Sequence, residues 1–207
     1  MKAILLTIAL IVLASTGNAS TAMEYRQEIQ TRWSEIKYNT PEDQQEKAFE
    51  ELSEYAISAV ASYPQSAELL IWKGIVLSTH AGAKGGLGAL SLVKDARDSL
   101  EQALELNPRA LGGSAYTSLG ALYYQVPGWP LSFGDEAKAK ELLIKALDIN
   151  PNGIDSNFFY GDFLVNQGQY EMAKEFLDRA LEAPDRPDRG LADQGRRTEI
   201  QVLLSKI

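Results

Sequence analysis

The chain has 207 residues, no cysteine and a formal net charge of −8 at pH 7. This length suits a single domain, and the lack of cysteine excludes disulfides and thiolate chemistry. The acidic balance argues against a nucleic-acid partner, because phosphate binding needs a basic surface.

The first 19 residues have the three-part pattern of a secretory signal peptide. Lys2 precedes an almost wholly apolar run at 4–14, and Gly17-Asn18-Ala19 follows as a cleavage site with small residues at its first and third positions. The run is shorter than the roughly 20 residues that a membrane-spanning helix needs. The pattern predicts cleavage after Ala19 or Ala22 and a periplasmic or secreted mature chain, with an uncleaved anchor as the alternative. No later segment is apolar enough to enter a membrane.

The first half of the mature chain predicts two helix pairs, at about 23–63 and 65–107. Thr40 is placed to cap the second helix at its amino end. The third helix is expected to fray at 81–88, which contains four glycines and predicts a loop. His80, the chain's one histidine, precedes this stretch, and we expect it to act as a carboxyl-terminal cap.

The second half predicts two further pairs, at about 110–150 and 153–183, and a capping helix at 188–206. The segment 126–134 holds two prolines and two glycines, which predict a loop. Ser132 and Asp135 have the spacing of a capping box for the helix that follows. A single domain is therefore expected over residues 23–207.

Three segments end alike, in an Ala-Leu pair followed shortly by proline. A glycine stands about ten residues beyond each proline that opens a unit. The endings are Ala103-Leu104 with Pro108, Ala146-Leu147 with Pro151, and Ala180-Leu181 with Pro184; the glycines are Gly74, Gly120 and Gly161. A recurring helix pair buries its apolar face only by stacking on its copies, so the pattern predicts an all-α solenoid of antiparallel helix pairs.

The last of these units resembles a tetratricopeptide repeat (TPR). The matching residues are Gly161, Gly168, Tyr170, Ala173, Ala180 and Leu181. We expect Gly161 and Ala173 to lie where the two helices cross, with Tyr170 and Leu177 filling the space beside them. This unit is close to the usual period of about 34 residues, whereas the two before it are longer, mostly in the loops 81–88 and 126–134.

A closer resemblance involves the runs Lys84-Gly85-Gly86 and Tyr123 to Pro130. They are similar to exported bacterial TPR proteins, including the periplasmic TPR component associated with tripartite (TRAP) transporters. The resemblance implies a scaffold that binds a partner, and it does not identify that partner.

By analogy with TPR solenoids, the first helix of each pair lines the concave surface. That places Ile71, Ile75 and Thr79 on the concave surface, together with all the candidate contact residues given below except the two from the loop 126–134. Trp129 and Phe133 join the candidates from the loop, where they either fold back on the solenoid or present an aromatic surface to a ligand. The candidates are Ser78, Thr117, Tyr124, Gln125, Trp129, Phe133, Asp155, Phe158, Asp162 and Asn166.

No residue pattern indicates catalysis, a metal site or a cofactor. The glycine-rich run at 84–88 lacks the Gly-Lys-Ser/Thr ending of a phosphate-binding loop. Asp155 and Asp162 share a helix face and are interpreted as groove contacts rather than acid/base groups. A cluster of arginines near the last helix is expected to pair with nearby aspartates: Arg186, Arg189, Arg196 and Arg197 with Asp185, Asp188 and Asp193.

The sequence therefore predicts an exported, non-enzymatic TPR scaffold that binds a protein or peptide through its concave face. The alternative is a periplasmic accessory of a transport system that binds a small molecule. The mixture of aromatic, amide and acid groups on the predicted face suits either a peptide or a small polar ligand.

Overall fold

The computed structural model describes residues 13–207, with side chains from residue 21 onward. The described chain is all-α, with nine helices and one 3₁₀ turn at Ala110–Gly113. The helices are α1 Leu13–Asn39, α2 Glu42–Ser62, α3 Ala67–Lys84, α4 Ala89–Leu106, α5 Ser114–Gln125, α6 Glu136–Ile149, α7 Ile154–Asn166, α8 Tyr170–Leu181 and α9 Gly190–Leu204. Successive helices pack on one another as four antiparallel pairs followed by α9.

Three glycines bring the two helices of a pair close together in the same way. A β-carbon added at these positions would lie 2.5–2.8 Å from the Cγ atom of a leucine on the second helix, too close for any side chain. The facing residues are Gly74 with Leu100, Gly120 with Leu143, and Gly161 with Leu177. The predicted solenoid of repeated helix pairs is therefore confirmed.

The first long loop is shorter than the sequence indicated. Helix α3 continues to Lys84, because Ala81 is buried in the core and keeps the helix packed. The helix ends at Gly85, whose φ of +65° suits glycine. The prediction of a loop from residue 81 was wrong, and the connection is confined to 85–88.

Two predicted helix caps were also wrong. Helix α6 is capped by Asp135, which accepts a hydrogen bond from the Lys138 backbone N–H at 2.9 Å, whereas Ser132 makes no capping bond. Helix α2 begins after Pro41, and the Thr40 hydroxyl donates instead to the backbone oxygen of Glu35. In both cases the helix begins further along the chain than predicted, so that Pro41 or Asp135, and not the hydroxyl residue, directly precedes it.

Within the last pair, Leu177 is fully buried, but Tyr170 is 53% exposed. Tyr170 is the first residue of α8. The expectation that Tyr170 fills the space at the crossing was therefore wrong. The buried neighbours of Leu177 come instead from α7 and from the last helix.

Helix α9 contacts the last pair and also the first helix of the chain. Ile200 is fully buried among side chains of α7 and α8. On α1, the ring of Tyr38 lies directly against the backbone of Gly195. The two ends of the array are thereby joined across its concave side.

The predicted signal peptide lies largely outside the described residues. Of its 19 residues, only 13–19 are described, as the start of α1, which continues through both predicted cleavage positions. Among the described residues, none of the helices combines the length and the apolar composition that a bilayer crossing requires.

Candidate functional site

A cavity of about 1330 Å³ lies on the concave side of the array. Its walls come mainly from the first helix of each pair and from α9, with contributions from both loops. Pockets for small ligands usually measure about 300–1,000 Å³. The cavity is therefore larger than a typical pocket for a small ligand.

Six of the candidate contact residues line this cavity. They are Ser78, Thr117, Gln125, Asp155, Phe158 and Asp162, and the wall also includes Ile75 and Thr79. Ile71 is fully buried in the core, so its predicted place on the concave surface was wrong. The two residues share a helix face one turn apart, and near the amino end of α3 that face is covered by side chains of α4 and α5.

Two more candidates, Tyr124 and Asn166, do not line the cavity themselves but form hydrogen bonds to Asp162, which does. The Tyr124 hydroxyl donates to Oδ2 of Asp162 at 2.5 Å, and burial together with this carboxylate raises the pKa of Tyr124 well above its ordinary value. The Asn166 side chain is exposed and donates to the backbone oxygen of Asp162. The hydroxyl of the half-buried Tyr124 thus holds the Asp162 carboxylate in position.

The two aromatic residues of the 126–134 loop have different environments. Phe133 folds back on Tyr123, with ring centroids 5.3 Å apart, and the Arg97 guanidinium lies 4.8 Å from its ring centre. Trp129 is 90% exposed. The loop itself is fixed by a hydrogen bond from the Asp135 N–H to the Tyr123 carbonyl at 2.8 Å. Phe133 is therefore part of the packing, and Trp129 lies on the surface.

Asp155 is the centre of an ion-pair network that joins α7 to the last helix. It accepts from Arg186 Nη1 at 2.7 Å and from Arg196 Nε at 2.9 Å. Burial alone would raise the pKa of Asp155, but the charges of Arg196 and Arg186 outweigh it and bring this pKa down to about 2. The Arg196 guanidinium also lies 4.3 Å from the ring centre of Phe158. Two candidate contact residues are therefore already engaged by this segment of the chain.

The arginine cluster pairs only in part as predicted. Arg186 binds Asp193 and Arg197 binds Asp185, as expected, but Asp155 on α7 is the partner that the sequence did not indicate. Asp188 occupies a turn with a φ of +59° and forms no salt bridge with any of the described residues.

Arg189 is placed differently from the other arginines of the cluster. Its guanidinium lies 5.0 Å from the ring centre of Trp72 on α3 and lines the cavity. It forms no salt bridge with any described residue, and its Nε is buried without a hydrogen-bond partner. Burial and the nearby charge of Arg186 lower its pKa. Arg189 is thus a cation on the cavity wall without a carboxylate partner.

His80 lies inside the core rather than at a helix end. It is 4% exposed, and its Nδ1 is 3.1 Å from the Ser53 hydroxyl on α2. Since that hydroxyl donates to the Phe49 carbonyl at 2.7 Å, Nδ1 of His80 carries the proton. The predicted role as a helix cap was wrong, because α3 continues for four residues beyond His80. Burial lowers the pKa of His80.

The acidic and histidine side chains do not gather into a metal site. Among the described residues, no group of three or more such side chains could hold a metal ion.

Several cavity residues were missed by the sequence reasoning. Trp33 and Tyr38 of α1 and Trp72 of α3 form a cluster, with ring centroids of neighbours about 6 Å apart. Trp33 was recognised by its helical spacing, but that spacing marks only the buried face of α1. No periodic signal indicates that the opposite end of the chain covers these rings.

Comparisons with known proteins agree with this architecture. The family model of the tetratricopeptide repeat matches residues 131–190, which span α6, α7, α8 and the arginine-bearing segment before α9. Together with the three equivalent helix crossings, the match makes this an all-α solenoid of TPR-like helix pairs. No curated protein matches the chain.

Two solved structures have similar arrangements. One is a thermophilic TPR protein of Thermus thermophilus, with a TM-score of 0.41 and 15% identity, over 75% of this chain and 92% of that one. The other is Pseudomonas aeruginosa pilF, with a TM-score of 0.37 and 17% identity, over 92% of this chain and 93% of that one. Similarity at this level says nothing about function.

Proposed function

We propose that this protein is a non-enzymatic scaffold that binds a partner protein by taking a segment of it into the concave cavity. The observation that supports the proposal is the cavity itself, which is walled by the first helices of the repeats and is larger than a typical small-ligand pocket. TPR-like solenoids present such concave surfaces to other chains.

The candidate groups for catalysis have other roles. Asp155 is paired with two arginines, Asp162 accepts from Tyr124, and His80 is buried against Ser53. None of the three adjoins a nucleophile poised for attack, so the cavity is proposed to hold and not to transform what it binds.

The proposal is tested by filling the cavity with a large side chain. Ser118 lies half-buried on the cavity wall, and Ser58 is exposed on α2 away from it. Affinity capture with the wild-type chain should recover a specific partner, which Ser118→Trp should lose and Ser58→Trp should retain. Equal recovery by all three proteins would contradict binding in the cavity.

We also propose that the mature chain works outside the cytoplasm. The support is the signal-peptide pattern of residues 1–19 together with the absence of cysteine. Among the residues whose side chains are described, the cavity wall begins at Gln30, so processing would remove none of these wall residues. Intact mass of the exported fraction should show the loss of 19 or 22 residues, and Leu10→Arg should prevent that loss. Full-length chain confined to the cytoplasm would argue against export.

Binding of a small molecule for a transport system is the narrower alternative. It predicts a metabolite retained through purification and seen by native mass spectrometry. The volume of the cavity favours a chain segment over such a molecule.

A further inference from the structure

The cavity contains an arginine that forms no salt bridge with any described carboxylate. Arg186 and Arg196 also reach the cavity wall, but both are engaged by Asp155, and Arg186 is engaged by Asp193 as well. Arg189 has no such partner in the described part of the chain, although the protein carries an excess of acidic residues. A guanidinium left unpaired in a partly buried wall offers a fork of N–H donors to an anion.

The aromatic surroundings of Arg189 fix its position. The guanidinium lies over the Trp72 indole at 5.0 Å, and the Trp33 ring lies 6.1 Å from that indole. A cation held over an indole face loses little freedom when a ligand arrives. The donor fork is therefore positioned before any ligand binds.

Two further donors beside Arg189 have no acceptor among the described residues. They are the indole Nε1 of Trp72, in a side chain only 3% exposed, and the hydroxyl of Tyr38. Burial raises the pKa of Tyr38 to about 12, so that hydroxyl remains a donor at neutral pH. Buried donors are normally paired, and the three side chains that carry these donors all line one cavity, where an acceptor group of a ligand would pair them.

We propose that Arg189 binds a carboxylate group of the ligand, with Tyr38 and Trp72 as neighbouring donors. This inference rests on the proposed function and names the chemistry that the cavity recognises. A carboxylate fits better than a phosphate dianion, because Arg189 is the one guanidinium of the described cavity wall that forms no salt bridge. The apolar side chains of Ile75, Leu122 and Phe158 on the same wall suit a hydrophobic body attached to that carboxylate.

The carboxylate could belong to the end of a partner chain or to a free organic acid. The experiment uses the full chain with Trp129→Phe, which leaves Trp33 and Trp72 as the reporting tryptophans. Their fluorescence is followed during titration with N-acetyl-Ala-Ala-Phe, with 3-phenylpropionate, and with the amide of each acid.

At least one acid should bind about tenfold or more tightly than its amide, as expected for loss of a charged hydrogen bond. Arg189→Gln should abolish this difference. Arg179→Gln removes the same charge from an exposed site outside the cavity and should preserve it. Preference for the peptide acid alone identifies a chain terminus as the source, and an equal response to 3-phenylpropionate identifies a free organic acid.

In the protein that keeps Arg189, equal binding of acid and amide would overturn the proposal, and so would the lack of saturable binding of any probe. Arg189→Lys keeps the charge without the fork and should bind with intermediate affinity, which separates recognition from loss of folding. If Ser118→Trp abolishes partner capture while Arg189→Gln retains it, the scaffold function stands and only the carboxylate site fails.

Discussion

The backbone of Gly195 on α9 lies against the ring of Tyr38 on α1 so closely that any β-carbon at residue 195 would overlap three ring atoms. Tyr38 and Gly195 are far apart in sequence, and their contact joins the two ends of the array. Several consequences can be measured.

Gly195→Ala should separate α9 from α1. The rigid Tyr38 ring cannot yield without moving its neighbours, so overpacking should cost about 1–3 kcal/mol of unfolding free energy. Gly190→Ala on the same helix meets no atom within 4 Å and serves as the control. Urea unfolding and hydrogen exchange of α9 measure the effect; equal stability of the two variants would show that the contact is not close in solution.

Acid should weaken the attachment of α9 to α7. The ordinary pKa of Asp155 is 3.8 and its folded value is about 2. A depressed carboxyl pKa contributes stability that is complete above the ordinary value and is lost as the pH falls towards the folded one. The loss between pH 5 and 2 should be at most about 2 kcal/mol from this residue.

Asp155→Asn tests that assignment. Its unfolding free energy should be lower than wild type at pH 5, and it should lack the Asp155 component of the decline towards pH 2. An unchanged pH profile in Asp155→Asn would place the acid sensitivity elsewhere.

The two aromatic residues of the 126–134 loop should respond differently to truncation. Phe133→Ala removes contacts with Tyr123 and Arg97 and should cost about 1–3 kcal/mol. Trp129→Ala should change stability by no more than about 0.5 kcal/mol, because the indole is exposed. Thermal unfolding of both variants checks this, and a large loss in Trp129→Ala would contradict the exposed position.

The helix crossings can be tested with one pair of glycines. Gly120→Ala would press on the buried Leu143 and should destabilise the chain by about 1–3 kcal/mol. Gly82→Ala, within α3, meets no atom and should stabilise it by about 0.5–1 kcal/mol, since glycine is unfavourable inside a helix. Loss of stability in both variants would point to a backbone requirement rather than to the crossing.

The helix pairs could be predicted from sequence because their signal is local and repeated. Gly74, Gly120 and Gly161 each meet their leucine within one helix hairpin, so spacing along the chain is enough to place them. The course of α9 could not be predicted in this way. Its contact with Tyr38 depends on how four pairs curve in space, and no interval in the sequence encodes that curvature.

Contacts in the cavity between distant parts of the chain could not be predicted from the sequence either. The analogy with TPR solenoids placed Thr117, Asp155 and Phe158 on the concave side, and they line the cavity there. It could not show that Arg196 already engages two of them, nor that Arg189 meets Trp72. Local reasoning also misjudged His80, since its hydrogen bond to Ser53 depends on the packing of α2 against α3.

Contact between α1 and α9 also affects how the chain folds. In an open array each unit touches only its neighbours, so the ends can fray while the middle stays intact. Here the terminal helices stabilise each other, and neither gains that support until all the units between them are in place. Contacts so distant in sequence slow folding, and they favour loss of the whole array in one cooperative transition.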